Sequence, residues 1–319
     1  MEQQGQLSFV KKWWISSRPF SFSASTMPVV FGSVLAAVCG GYEFKPILFV
    51  LSFVAMVILH SASNILNDVK DYAMGLDVVP SPVSGGVVRK IISTKEAKIG
   101  ASILFCIGTI IGFILVYLTG IWLLVIGLGG LAVGIFYSLG GKIALKYHAF
   151  GDFAVFLDFG ILGSLGSYYV QSGQLSWVPA LWAIPFSMQV IAIVHANNWR
   201  DIGSDSEGKI ITVASLLGDM GSLRYYWIMV FVPFIMIFGY IFIPYFFIPG
   251  VASMPFTFLI TFLALPVAFK VWKKALNRHH PKKPMDFITL DGATAQLNMI
   301  FGALCTVALL VDALIKWIR

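Results

Sequence analysis

Two clusters of Asn and Asp hold the residues of this sequence best suited to chemistry. The first reads Asn64-Ile-Leu-Asn67-Asp68-Val-Lys70-Asp71 and continues through Gly75 to Asp77. The second reads His195-Ala-Asn197-Asn198-Trp199-Arg200-Asp201 and continues through Asp205 and Glu207 to Lys209. In each, an Asn stands one helical turn before an Asp, which puts both side chains on one helix face. Asn197, Asp201 and Asp205 carry that face through a further turn. Such oxygen groups suit a hard cation such as Mg2+, which takes one or two carboxylates and shares the phosphates of a substrate. Facing carboxylates repel until a cation neutralises them. A diphosphate bridged by the cation satisfies both clusters, with Lys and Arg on its remaining oxygens. One cluster alone reads equally well as a polar helix end. The same spacing twice, at helix ends on one side, points to function.

These clusters must be held by membrane helices. Of 319 residues, 58% are hydrophobic and only 12% are charged, against roughly 25% charged in a soluble domain. A chain so poor in charge needs lipid as its solvent. Segments of about 20 apolar residues fall at 22–41, 46–66, 98–118, 121–139, 152–171, 178–197, 224–244, 252–270 and 297–315. The expected fold is therefore an all-α, polytopic membrane bundle of about nine helices. One domain is expected over 1–319, with active-site loops at about 67–97 and 198–223.

Lys and Arg set the orientation. They crowd the N-terminus (Lys11, Lys12, Arg18) and the loops after the second, fourth, sixth and eighth segments, leaving only Lys45, Lys316 and Arg319 on the other side. The positive-inside rule then places the N-terminus and both clusters in the cytoplasm. The net charge of +7 is read as topology and contact with anionic lipid, with no nucleic-acid partner. The first apolar run is too long for a signal peptide and is read as a retained helix, with Trp13 and Trp14 as interfacial anchors. Cys39, Cys106 and Cys305 match no metal-binding spacing and are expected to be buried bystanders.

Several other residues carry open readings. Tyr137 and Lys146-Tyr147 fit interfacial anchors taken alone. Asp152 reads as a helix cap, and Asp158, deeper in the same segment, calls for a partner that the sequence does not name. His60 and His195 serve packing or chemistry. Gly108, Gly112, Gly127, Gly129, Gly130 and Gly134 allow close helix approach.

On these motifs the chain resembles the UbiA superfamily of membrane prenyltransferases. Asn67, Asp68, Asp71, Gly75 and Asp77 are similar to the first Asp motif of its 1,4-dihydroxy-2-naphthoate branch. Asn197-Asn198-x-Arg200-Asp201-x-x-x-Asp205-x-x-x-Lys209 resembles the second. Arg18-Pro19, Ser84-Gly85-Gly86 and Tyr168-Tyr169-Val-Gln171 agree, and the likeness covers nearly the whole chain. Val69 and Thr212 depart from the branch pattern. The resemblance implies Mg2+ on Asp71, Asp201 and Asp205, supported by Asn67, Asn197 and Asp68. It implies a polyprenyl diphosphate held by Arg89, Lys146, Arg200 and Lys209, with Tyr137 near the allylic cation or the diphosphate. An aromatic acceptor completes the reaction, here 1,4-dihydroxy-2-naphthoate giving demethylmenaquinone for menaquinone biosynthesis. Other acceptors of the superfamily are 4-hydroxybenzoate, homogentisate and a glycerophosphate lipid. A cation-coupled transporter is the competing class, but it would place its carboxylates near the midplane. A prokaryotic inner membrane is the expected location.

Overall fold

A computed structural model describes residues 7–75, 80–81, 83–138, 144–208, 210–247, 253–278 and 289–318. Asp77, Lys209 and Arg319 of the sequence reading lie outside them. The chain is all-helical. Among the described residues eight helices are long and apolar enough to cross a membrane, and Ile121–Tyr137 is a shorter apolar ninth.

The order along the chain follows from local signals. A short helix α1 (Phe9–Ser16) starts on the Ser8 hydroxyl, which accepts the Lys11 N–H. It rests on α4 (Thr94–Thr119), where any Cβ at Gly100 would strike the Trp13 ring. Helix α2 (Ser23–Val38) follows a 3-10 turn at Pro19–Ser21. Helix α3 (Pro46–Ala73) opens with Pro at its first position, where a missing N–H costs nothing. Helix α4 starts on a reciprocal Ser93–Glu96 capping box and is followed by α5 (Ile121–Ser138).

The next span is composite. Helix α6 (Gly151–Val155) runs into a π-helical stretch, Phe156–Leu162, and then α7 (Gly163–Ser172), which ends at left-handed Gly173. Helix α8 (Val178–Arg200) carries the second motif to its end. The segment 198–223, expected as a loop, is largely helical: α9 (Ile202–Glu207) follows directly, and α10 (Val213–Phe247) begins early and kinks at Gly218. Hydropathy stops at the last apolar residue, whereas the helix continues while its polar face has partners. Gly218 adopts φ 65°, ψ −173°, a conformation open to residues without a Cβ. A 3-10 stretch (Phe256–Ala264), α11 (Leu265–Leu276) and α12 (Leu290–Ile318) complete the bundle.

The core lies between α2, α8, α10, α12 and the 3-10 stretch. Phe31 meets Phe186 edge-on at 5.1 Å, and Phe234 meets Phe301 at 5.1 Å. Small residues let backbones approach: a Cβ at Gly32 would collide with Ser164 and Ser167, and one at Gly160 with Ser187. Outside this core, α4 and α5 present Ile103, Ile110, Phe113, Trp122 and Val125 to the surroundings, as a lipid-facing surface must. Cys39 and Cys106 are exposed and Cys305 alone is buried, so the expectation of three buried cysteines fails for two. Opposite ends of α2 show the polarity of the bundle. Arg18 before it joins the first motif, while Cys39 after it feels Lys316 and Asp312 near the end of α12.

Candidate active site

The first motif closes α3. Asn67 and Asp71 share the predicted face, and Lys146 draws them together. Its ammonium donates to Asp71 Oδ1 at 2.7 Å and to Asn67 Oδ1 at 3.2 Å. Tyr147 places its hydroxyl 3.5 Å from the same Asp71 oxygen and its ring under the Lys146 ammonium, 5.0 Å from centroid to nitrogen. Burial, then the Asp71 carboxylate, pushes the Tyr147 phenol well above its ordinary range. Both residues belong to a 3-10 turn, Leu145–Tyr147, tied to the second motif's chain by an Ala149 N–H to Ile211 carbonyl bond of 2.7 Å.

Asp68 faces elsewhere. Its side chain is 1% exposed, against 28% for Asp71 and for Asp201. One oxygen accepts from Arg18 at 3.2 Å and the other from the Val87 N–H at 2.7 Å. Any Cβ at Gly85 would overlap the Asp68 carboxylate, which is why Gly stands there in the Ser84-Gly85-Gly86 loop. Asp68 is thus a strut for that loop, with a protein donor on each carboxylate oxygen. Arg89 lies in the same loop, half-buried, with no side-chain ion pair among the described residues.

The second motif ends α8. The Arg200 guanidinium grips Asp201 with Nε and Nη2, each at 3.0 Å, and Nη2 also donates to Asn197 Oδ1. Its remaining arm donates to Asp291 Oδ2 at 3.0 Å, from the first turn of α12. Arg200 is therefore neutralised by two carboxylates and ties Asp201 to the first turn of α12. Trp199, fully buried, donates to Asp219 Oδ1 at 2.9 Å. Arg278 shares that oxygen at 2.9 Å and lies 5.4 Å from the Trp199 ring. Sequence reading missed Asp219, Asp291 and the role of Arg278.

Asp205 joins the two clusters electrostatically. Burial, then the Asp201 and Asp71 carboxylates, pushes its carboxyl up to about 8, with Lys146 and Arg200 opposing. It has no ion pair among the described residues. Three carboxylates from two motifs thus share one field that is short of positive charge around Asp205. Among the described residues no three His, Cys, Asp or Glu side chains form a closed metal cage. A cation that shares its shell with substrate phosphates needs only one or two carboxylates, and Asp205 is a carboxylate without an ion pair among the described residues.

Beneath this charged mouth lies a cavity of about 660 Å3 between α2, α3, α4, α5, α7 and the π-helical stretch. Asn67 and Tyr137 line it at the mouth, and its walls are otherwise mostly apolar. Tyr137 sits beside Lys146 and Gly151 and within the field of Asp152 and Asp71. His60 lines the cavity as a fixed wall residue, bonded to Ser25 at 2.7 Å and stacked on Phe159 at 4.7 Å. His195 and Asp152 are buried together behind the mouth, 3.6 Å apart; Phe150 stands at the N-cap of α6 and no side chain caps it, so Asp152 is not the helix cap expected from the sequence. The glycines divide by role: Gly108 makes room for Leu59, whereas Cβ atoms at Gly112, Gly127 and Gly134 would meet nothing within 4 Å. Those three leave space rather than pack.

A helical membrane bundle with paired acidic motifs over an apolar cavity is the architecture of an enzyme that handles an amphiphile with a charged head. The UbiA prenyltransferase family model matches residues 25–290, and the chain belongs to that family. It is similar to UbiA prenyltransferase domain-containing protein 1 of Danio rerio, 34% identical over 225 residues, covering 70% of this chain and 66% of that protein. The chain thus spans just under two thirds of that relative's length. A UbiA homolog from Aeropyrum pernix K1 shares the fold with a TM-score of 0.63 at 18% identity, covering 90% of this chain and 97% of that one. A UbiA homolog from Archaeoglobus fulgidus bound to GPP and Mg2+ does so with a TM-score of 0.59 at 13% identity, covering 93% and 99%.

Proposed function

We propose that this protein transfers a polyprenyl group from its diphosphate to an aromatic acceptor, with 1,4-dihydroxy-2-naphthoate as the acceptor and demethylmenaquinol, the reduced form of demethylmenaquinone, as the product. One observation carries the transfer reading: Asn67 belongs both to the charged mouth and to the apolar cavity, which is what an allylic diphosphate requires of a binding site. The family supports it, as does the Archaeoglobus homolog, whose structure holds GPP and Mg2+. The acceptor rests on the motif resemblance alone.

Asp71, Asp201 and Asp205 would hold Mg2+, with Asn67 and Asn197 beside them, and the ion when bound supplies Lewis-acid stabilisation of the departing diphosphate. Lys146 is already at the mouth and adds a positive charge there, and Arg89 has a guanidinium to spare. Arg200 holds Asp201 in place, and Lys209 remains a proposed diphosphate contact. The cavity keeps the tail dry, worth about 0.8 kcal/mol per CH2. The allylic C–O bond breaks with its electron pair leaving on diphosphate. A ring carbon of the acceptor supplies the pair for the new C–C bond, and the ring then loses a proton or CO2. Tyr137, at the junction of mouth and cavity, faces the allylic carbon. The mouth lies on the cytoplasmic side of the membrane. The expected prokaryotic inner membrane draws no support from the Danio rerio relative.

The test is a panel of acceptors offered to purified protein with labelled geranylgeranyl diphosphate and Mg2+. Product with 1,4-dihydroxy-2-naphthoate and little with 4-hydroxybenzoate, homogentisate or a glycerophosphate is expected. Product with another of these alone would keep the transfer reading and replace the acceptor.

A further inference from the structure

Asp158 is the one Asp, Glu, Lys or Arg on the cavity wall among the described lining residues, and the reaction above makes no use of it. Three features of the fold place it there. It belongs to the π-helical stretch Phe156–Leu162, whose wider turn brings Asp158, Phe159 and Leu162 to the cavity. Such π insertions concentrate at functional sites. On the neighbouring helix α5, Gly130 abuts it: any Cβ there would stand 2.8 Å from Asp158 Oδ1, so a glycine is needed to admit the carboxyl. Phe159 beside it is fixed by its stack on His60, 4.7 Å between centroids. The Asp158 carboxyl itself has no hydrogen bond or ion pair among the described residues.

An unpartnered carboxyl against a hydrocarbon tail is costly, and an ionisable group at membrane depth marks a ligand contact by default. Gly130 lies about two helical turns, or roughly 10 Å, below Tyr137 on α5. The reacting carbon of the donor sits just under the diphosphate at that mouth. A phenolic acceptor placed against it, pointing inward, brings its far hydroxyl to the depth of Asp158. We propose that Asp158 is an acceptor-recognition residue, taking the hydrogen bond of a ring hydroxyl on the aromatic acceptor. The assignment rests on the prenyl-transfer reading and adds to it the side of the cavity that reads the acceptor.

The experiment compares wild type, Asp158→Leu and Asp158→Asn as full-length proteins in detergent, each checked for an unchanged melting temperature. Acceptor binding is followed by tryptophan fluorescence with no donor present, using 1,4-dihydroxy-2-naphthoate and its 4-methoxy analogue. The KM values for acceptor and for geranylgeranyl diphosphate are measured in parallel. Loss of one hydrogen bond to a carboxyl predicts about 10- to 100-fold weaker binding of the diol by Asp158→Leu. The methoxy analogue and the donor KM should not change, and Asp158→Asn, which keeps an acceptor oxygen, should recover most of the loss. Equal loss for diol and methyl ether, or a change confined to donor chain length, would overturn the assignment and place the carboxyl against the tail. A wild type that makes no product with any acceptor would overturn the transfer reading itself, and this assignment with it.

Discussion

The Asp71 carboxylate and the Lys146 ammonium meet at 2.7 Å, and that contact brings the end of α3 under the chain that leads to the second motif. Through it the two acidic helix ends face a common space, with Asp205 between them short of a cation.

Asp205 gives the metal-free protein a pH-dependent stability. Its folded-state pKa is raised from 3.8 to about 8. Between these values the folded form holds a proton that the unfolded form has lost, so stability is full below about 4 and declines as pH rises through about 8. The melting temperature in EDTA should fall from pH 5 to pH 8, and Asp205→Asn should flatten that slope. A slope identical in the variant would place the effect elsewhere.

Asp291 acts on the second motif through Arg200. Removing its charge leaves the guanidinium free to bind Asp201 more tightly, which makes Asp201 a poorer ligand. Asp291→Asn is expected to raise the Mg2+ concentration for half-maximal rate about 10-fold, the scale of an altered neighbour to a metal ligand. Asp291→Glu should restore it. Titration of Mn2+ by electron paramagnetic resonance reads the same change without turnover.

The open glycines predict a change in donor size. At Gly127 a side chain enters free space rather than a packed wall. Gly127→Leu should fold normally, with a melting temperature near wild type. It should lose geranylgeranyl diphosphate by about 10-fold in kcat/KM, while dimethylallyl diphosphate is used as before. This corresponds to about 1.4 kcal/mol of tail contact. Equal loss with both donors would mean that the cavity is not where the tail lies.

Much of this architecture was legible in the sequence. Apolar runs long enough to cross a bilayer located every span, and the turn-spaced Asn and Asp residues located the mouth. The rest was set by tertiary pairing. Arg200 and Asp291 are 91 residues apart, Arg278 and Asp219 are 59 apart, and no local spacing marks them as partners. Asp68 stands in the same motif three residues before Asp71, and only its long-range partners, Arg18 and the Val87 N–H, commit it to the loop instead of the mouth. The helical course of 198–223 was hidden because its polar residues resemble a loop in hydropathy. A π-helical stretch leaves no signature of its own, so the direction of Asp158 was beyond reach.

In the proposed reaction Asp71 and Asp201, from opposite motifs, act on one diphosphate. That joint action is tested most directly by prenyl transfer from labelled geranylgeranyl diphosphate with purified wild type, Asp71→Asn and Asp201→Asn, each with Mg2+ and with EDTA. Product only from wild type with Mg2+, and rates at least about 100-fold lower in both variants at unchanged melting temperature, are expected where preorganised charge carries the catalysis. Wild-type activity in EDTA, or a folded variant of either residue that works at full rate, would contradict the account.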